Sequence, residues 1–329
     1  MKAAVINAFG GPEQLIYTDV PKPVPKGDEI LVRNVIIGVG KPDYLVRSGN
    51  DPYLEDQLPG LIVGNESAGI VEAVGPEVKN IRVGDQVAVL NGTGCGSHAE
   101  FSCAREGFAI VIPKTLTPEQ VPGILNLQVA YALLHDVGKG TNGESLYIEG
   151  AAGGIGTTLV QMALANGMQV AASASSEEKC EVLRALGAQC VFNYRETDPK
   201  EAILDFTDGQ GVDLIYDQAA GPGLKKRFDY LADFGQIVLY NWLEGDPQLD
   251  QLETIIQRAP HANAIRSFSF HAFDNITSRR LANAAKCFEM IADGRVKPVV
   301  YKTLPLSEAR QAHELLDAKK IIGKLVMTP

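Results

Sequence analysis

The stretch Ser145-Leu146-Tyr147-Ile148-Glu149-Gly150-Ala151-Ala152-Gly153-Gly154-Ile155-Gly156 constrains this chain more than any other. An apolar strand pattern runs into a turn of small residues, and a helix pattern follows with Gly156-Thr157-Thr158-Leu159-Val160-Gln161. Small side chains let a backbone approach a phosphate closely. The first turn of a helix adds N–H groups that have no partner inside the helix. A strand, turn and helix of this kind hold a dinucleotide pyrophosphate, and the unit belongs in a parallel sheet.

The flanking pattern agrees. From about residue 123, apolar strands alternate with helices, as in a doubly wound parallel sheet with helices on both faces. Met168-Gln169-Val170-Ala171-Ala172 precedes a helix from Ser176 to about Gly187, and Cys190-Val191-Phe192, Asp213 to Asp217, Gly235 to Tyr240 and Ala264 to Phe270 read as further strands. Ile237-Val238-Leu239 is continuously apolar, which suits a strand covered on both faces.

The first hundred or so residues are different. Short apolar runs (Ile30 to Val35, Gly69 to Gly75, Gln86 to Leu90) are broken by Pro21-Lys22-Pro23-Val24-Pro25-Lys26-Gly27-Asp28 and Val83-Gly84-Asp85, the pattern of a small β-barrel. Thr117-Pro118-Glu119-Gln120 carries a cap, a proline at the first helical position and a glutamine that closes a capping box, so a helix is expected there. The tail, with helices over Arg279 to Ala292 and Ser307 to Ala318 and strands at Val299-Val300-Tyr301 and Gly323 to Met327, breaks the alternation. It is expected to pack back on the barrel. The sequence thus divides into a barrel domain over 1–122 and 271–329 and a dinucleotide domain over 123–270.

Bulk properties exclude several classes. A chain of 329 residues, 45% hydrophobic and 21% charged, has globular composition, and no run approaches the roughly 18 apolar residues of a membrane helix. The start, Met1-Lys2-Ala3-Ala4-Val5-Ile6-Asn7, lacks a signal peptide's pattern, so a cytoplasmic location is expected. Five scattered cysteines (Cys95, Cys103, Cys180, Cys190, Cys287) form no disulfide framework and no CxxC zinc lobe. A net charge of −10 disfavours nucleic acid, whose affinity rests on phosphate neutralisation.

The end of the second strand of such a sheet discriminates between cofactors, because a carboxylate there accepts from ribose hydroxyls and repels a 2′-phosphate. Here it reads Ala172-Ser173-Ala174-Ser175-Ser176, with no acid at its tip and Lys179 one helical turn on. Hydroxyls and an ammonium suit a phosphomonoester, which favours NADPH over NADH. Glu177 and Glu178 are expected to face solvent at the helix start. The plainer alternative is that Ser175, Ser176 and Lys179 cap and decorate the helix and that Tyr194 is packing; the missing acid and the added cation together favour the phosphate role.

Taken together these residues resemble a known family. The chain is similar to zinc-independent medium-chain dehydrogenases/reductases of the quinone oxidoreductase (zeta-crystallin-like) branch, essentially end to end. The likeness rests on Phe9-Gly10-Gly11-Pro12-Glu13, Val46-Arg47-Ser48-Gly49, Glu66-Ser67-Ala68-Gly69-Ile70-Val71, Val83 to Val87, Gly150 to Gly156, Ser175 to Lys179, Leu186-Gly187-Ala188, Asn193-Tyr194-Arg195-Glu196, Ala312 to Leu316 and Gly323 to Val326. It implies an α/β chain with a Rossmann domain and a discontinuous GroES-like barrel, a cofactor in the cleft between them, and a homodimer. It also implies that Ala152, Gly153, Gly154 and Ile155 meet the pyrophosphate, that Ser175, Lys179 and Tyr194 bind the 2′-phosphate, and that Asn241 lies near the nicotinamide.

The departures are equally informative. Zinc-dependent relatives take a ligand from Gly-His-Glu, whereas this chain has Gly64-Asn65-Glu66, and Gly38 to Asp43 supplies no cysteine. Cys95 and His98 are too few for a tetrahedral site, so no metal is expected and alcohol dehydrogenase chemistry is disfavoured. Quinone-reducing members carry Asn, Tyr and Thr where this chain has Gly40, Leu45 and Val129, so the nicotinamide end has lost three polar groups while Tyr44 is added.

Hydride transfer to an electron-poor acceptor needs orientation more than acid–base equipment. For a proton donor the sequence offers Tyr44 and Tyr53, each of which also reads as a pocket wall. Asn65 and Trp242 complete the expected acceptor pocket, Trp242 reading equally well as an interface anchor, and Glu66 is expected to pair with a cation as structure. Three readings stand: an NADPH-dependent quinone reductase, an NADPH-dependent reductase of activated C=C bonds (enones or enoyl thioesters), and a non-catalytic NADPH-binding, crystallin-like protein.

Overall fold

The computed structural model describes residues 1–50, 58–90, 96–141, 143–246 and 250–329, with no side-chain description for 250–252. The chain divides into two compact units, one of Met1–Leu127, Ala284–Gly294 and Pro298–Pro329, the other of Gln128–Asn283 and Arg295–Lys297.

The second unit is built, among the described residues, on a six-stranded sheet. Its order is Cys190–Asn193, Gln169–Ala174, Ser145–Ile148, Val212–Asp217, Leu231–Leu239, Ala264–Ser267. Every neighbouring pair is parallel. Parallel neighbours need long crossovers, and helices Gly154–Ala165, Glu177–Ala185 and Pro199–Phe206 lie in three of them. The chain begins at the centre, steps outward to Cys190–Asn193, then returns beside its starting strand and steps out the other way. Leu146, Tyr147, Ile148, Ile215 and Tyr216 are fully buried, as both-sided cover of the sheet requires. Tyr147 stacks on Phe192 and meets Tyr230 edge-on, with centroids 5.8 and 5.9 Å away.

Among the described residues the first unit carries a seven-stranded sheet in the order Val300–Pro305, Lys324–Thr328, Glu29–Val39, Glu66–Val74, Gln86–Leu90, Ala109–Val111, with Phe101–Arg105 also on Glu29–Val39. The long strand Glu29–Val39 pairs with Glu66–Val74 on one side and with Phe101–Arg105 and then Lys324–Thr328 on the other. A smaller sheet joins Ile16–Asp19, Lys2–Ile6 and Leu61–Ile62. Ile6, Ile37, Val39, Leu325 and Met327 share one core cluster, so the last strand is packed with the first hundred residues.

Two sequence expectations shift. The unit divisions fall at 127/128 and 283/284, against the expected 122 and 271, and both lie inside helices, Ile124–Tyr131 and Thr277–Ala292. A helix shows no break in composition at its middle. The helix expected at Thr117 is only a 3-10 turn, Pro118–Gln120, although the Gln120 side chain does accept from the Thr117 N–H at 2.8 Å. Pro122 lacks a donor and Gly123 sits at φ +70°, so helical structure resumes only at Ile124.

Candidate functional site

In the second unit the strand order reverses between Ser145–Ile148 and Val212–Asp217, and the carboxyl ends of such a pair open the crevice where doubly wound sheets bind ligands. The small-residue turn leaves the first of these strands. The Ala151 N–H donates to the Ser173 carbonyl at 2.8 Å, which ties the turn to the neighbouring strand. Gly153 caps helix Gly154–Ala165, whose first-turn N–H groups lack intrahelical partners by geometry. The glycines divide the work. A Cβ on Gly153 would meet nothing within 4 Å, so its face is open, whereas one on Gly156 would lie 2.3 Å from the Ala151 carbonyl oxygen. Ala151 and Ala152 are buried beneath.

At the end of the second strand, Ser176 caps helix Glu177–Ala185, and Lys179 Nζ lies 3.4 Å from Ser175 Oγ. The Tyr194 N–H donates to the Ala174 carbonyl at 3.1 Å, which brings the chain after Cys190–Asn193 alongside, with Tyr194 exposed. Ser175, Lys179 and Tyr194 are thus drawn to one corner. Arg195, expected beside Tyr194 near the same end but given no role of its own, joins them. Burial lowers the Lys179 ammonium, and the Arg195 guanidinium lowers it further, with Glu178 opposing. The Arg195 N–H is fixed on Asn193 Oδ1 at 3.1 Å. Glu177 pairs with Arg184 and is exposed, as expected of a helix-start carboxylate.

Asn241 and Trp242 follow Leu231–Leu239. The Tyr240 N–H donates to the Asp217 carbonyl, and Leu243 and Glu244 donate to the carbonyls of Gln218 and Ala219, at 2.9 to 3.2 Å. Both residues therefore stand at the same strand ends as the small-residue turn, Asn241 half-buried and Trp242 exposed.

Below the turn lies an ionic cluster that the sequence reading missed. Arg227 places Nη2 2.7 and 2.8 Å from the Glu149 carboxylate oxygens and Nε 3.3 Å from Asp217 Oδ2. Asp217 Oδ1 accepts from the N–H groups of Ala219 and Ala220, and Gln218 Nε2 donates to the carbonyls of Glu149 and Gly150. Burial and the neighbouring Asp217 push the Glu149 carboxyl up to about 7 against the pull of Arg227. The available signal was an acid at the tip of each of two apolar strands; the shared cation lies 78 residues from Glu149.

In the first unit, Tyr44 lies half-buried on helix Lys41–Ser48, with Arg47 5.5 Å from its ring centroid. Asn65 is half-buried and donates its N–H to Asp43. Glu66 pairs with Lys324 and accepts from the Leu125 N–H at 2.9 Å. Tyr53 and Cys95 lie outside the described residues. Among those residues no three His, Cys, Asp or Glu side chains are grouped as a metal site, and no helix is long and apolar enough to cross a membrane.

Residues 26–117 match the alcohol dehydrogenase GroES-like domain, and residues 154–282 match the zinc-binding dehydrogenase family. The chain is 32% identical to a 2-haloacrylate reductase of Burkholderia sp over 334 residues, covering 99% of this chain and 98% of that one. It is 30% identical to the quinone oxidoreductase of Sus scrofa, covering 99% and 97%. The chain belongs to the zinc-independent quinone oxidoreductase family of medium-chain dehydrogenases/reductases. The structure of the Escherichia coli quinone oxidoreductase complexed with NADPH covers all of both chains with a TM-score of 0.90 at 26% identity. The family is one of oxidoreductases, so this chain is an oxidoreductase with a dinucleotide-binding Rossmann fold and a GroES-like domain.

Proposed function

We propose that the protein is an NADPH-dependent reductase that transfers hydride to a quinone. The observation that carries the cofactor choice is the corner formed by Ser175, Lys179, Tyr194 and Arg195. It offers two cations and two hydroxyls at the second strand's tip, where an NADH-selective site presents a carboxylate. Gly153, Gly154 and Ile155, with Ala152 behind them, suit the pyrophosphate, because the open face of Gly153 meets unpaired helix-start N–H groups. Asn241 is assigned to the nicotinamide end.

Bound NADPH supplies the hydride. The chain's own contribution is to orient the acceptor and keep water from competing, with Tyr44, Asn65 and Trp242 as acceptor-side residues. A quinone or an electron-poor alkene accepts hydride at one end and is then protonated, for which water suffices. The second reading, reduction of an activated C=C bond, is supported by the 2-haloacrylate reductase likeness and by the apolar Gly40, Leu45 and Val129. A homodimer and a small electrophilic partner complete the proposal.

The test is NADPH absorbance with purified protein and a panel of quinones, enones and 2-haloacrylates. Quinone turnover supports the first reading, and turnover of alkenes alone moves the assignment to the second. Tight NADPH binding without any turnover would favour a non-catalytic, crystallin-like role instead.

A further inference from the structure

Asp43 is 1% exposed on the first turn of helix Lys41–Ser48, and both of its carboxylate oxygens are used. Oδ2 accepts from the Gly40 N–H at 2.7 Å, and Oδ1 accepts from the Asn65 N–H at 2.8 Å. The first bond is ordinary helix capping, in which the third helical residue reaches back to the cap. The second is not local. It ties the start of this helix, which carries Tyr44, to the loop that carries Asn65, 22 residues further on.

We propose that Asp43 is the positioning residue of the acceptor side, a buried clamp that fixes the backbone bearing Tyr44 against the backbone bearing Asn65. The inference rests on the reading of Tyr44 and Asn65 as acceptor-side residues. An acceptor-only carboxylate serves two converging N–H donors, whereas a protonated carboxyl turns an O–H toward one of them. The surroundings make that protonation accessible. His98 Nε2 lies 3.9 Å from Oδ2, and Lys324 and Glu66 act on Asp43 from the last strand and from Glu66–Val74. Burial raises the carboxyl to about 7; Lys324 and the two backbone N–H groups oppose, and Glu66 adds to the rise. His98 is itself held down to about 4 by burial, so it stays neutral through this window and supplies no counter-charge. The clamp is therefore complete above about 7 and loosens as protons are taken up below it.

Two measurements test this. In steady-state kinetics with the preferred acceptor, Asp43→Asn should raise the acceptor KM about tenfold, the worth of one charge-assisted hydrogen bond, while kcat at saturation and the Kd for NADPH stay near wild type. The fall in acceptor kcat/KM of the wild type below pH about 7 should flatten in the variant. A folded Asp43→Asn protein with wild-type acceptor KM and pH profile overturns the proposal. The second measurement needs no variant: in wild-type protein, amide exchange at Gly40 and Asn65, corrected for intrinsic rates, should lose protection from pH 8 to pH 6. Unchanged protection overturns the clamp even if no acceptor is turned over, in which case it is the functional reading that has failed.

Discussion

Lys179 and Arg195 act on each other as like charges, and a phosphate dianion between them would turn that repulsion into two attractions. Lys179→Ala should therefore raise the KM for NADPH about ten- to a hundredfold and leave that for NADH nearly unchanged. Arg195→Ala should act in the same direction but more weakly, because this side chain is exposed and screened. Equal effects on both nucleotides would show that neither cation reads the phosphate. Lys179 was legible in the sequence because helical spacing sets it one turn from Ser175. Arg195 was visible only as the neighbour of Tyr194, since the direction of a side chain after a strand depends on how the next strand pairs. The Glu149–Arg227–Asp217 cluster was less legible still, being an encounter of three residues from three separate segments.

The strand, turn and helix of the dinucleotide site can be tested as a unit, because its glycines make opposite predictions. Gly153→Ala adds a methyl group to open space and should leave thermal unfolding unchanged, while NADPH affinity falls because the methyl group occupies the face assigned to the pyrophosphate. Gly156→Ala drives a methyl group to 2.3 Å from the Ala151 carbonyl oxygen and should cost about 1–3 kcal/mol or more of stability. Calorimetry and nucleotide titration of both variants separate the effects. A Gly153→Ala protein with full NADPH affinity would move the pyrophosphate elsewhere. Continuous apolar runs such as Leu146-Tyr147-Ile148 made these strands legible. By contrast, the turn of π-helix at Ala132–Gly138 had no local signal. Tyr216 donates its hydroxyl to the Leu133 carbonyl at 2.8 Å, and Arg266 donates to the Val137 carbonyl at 2.6 Å. Two carbonyls of this segment thus accept from side chains 83 and 129 residues away, which local propensity does not register.

Across the whole molecule, buried carboxyls and imidazoles titrate with opposite effects on stability, and both units hold both kinds: Asp43, His98 and His313 in the first, Glu149 and the half-buried His135 in the second. The second unit holds Glu149, raised to about 7 by burial and Asp217. The first holds His98 and His313, their rings edge-to-face at 5.4 Å, both lowered by burial, His98 to about 4. For the histidines, the unfolded chain takes up protons below its ordinary imidazole value that the native rings refuse. Their contribution is present above that value and is lost as pH falls through the native one. Glu149 has the opposite sign: the native carboxyl keeps a proton that the unfolded chain has released, so its contribution is present at low pH and is lost as pH rises toward about 7. Trp242 is the only tryptophan and belongs to the same unit as Glu149, so its fluorescence follows the relevant transition. Glu149→Gln removes the titrating group while keeping a neutral partner for Arg227. The variant's Tm should therefore gain on that of the wild type between pH 5 and pH 8. A difference in Tm that stays constant over that range would show that Glu149 is ionised throughout, with Arg227 outweighing both burial and Asp217.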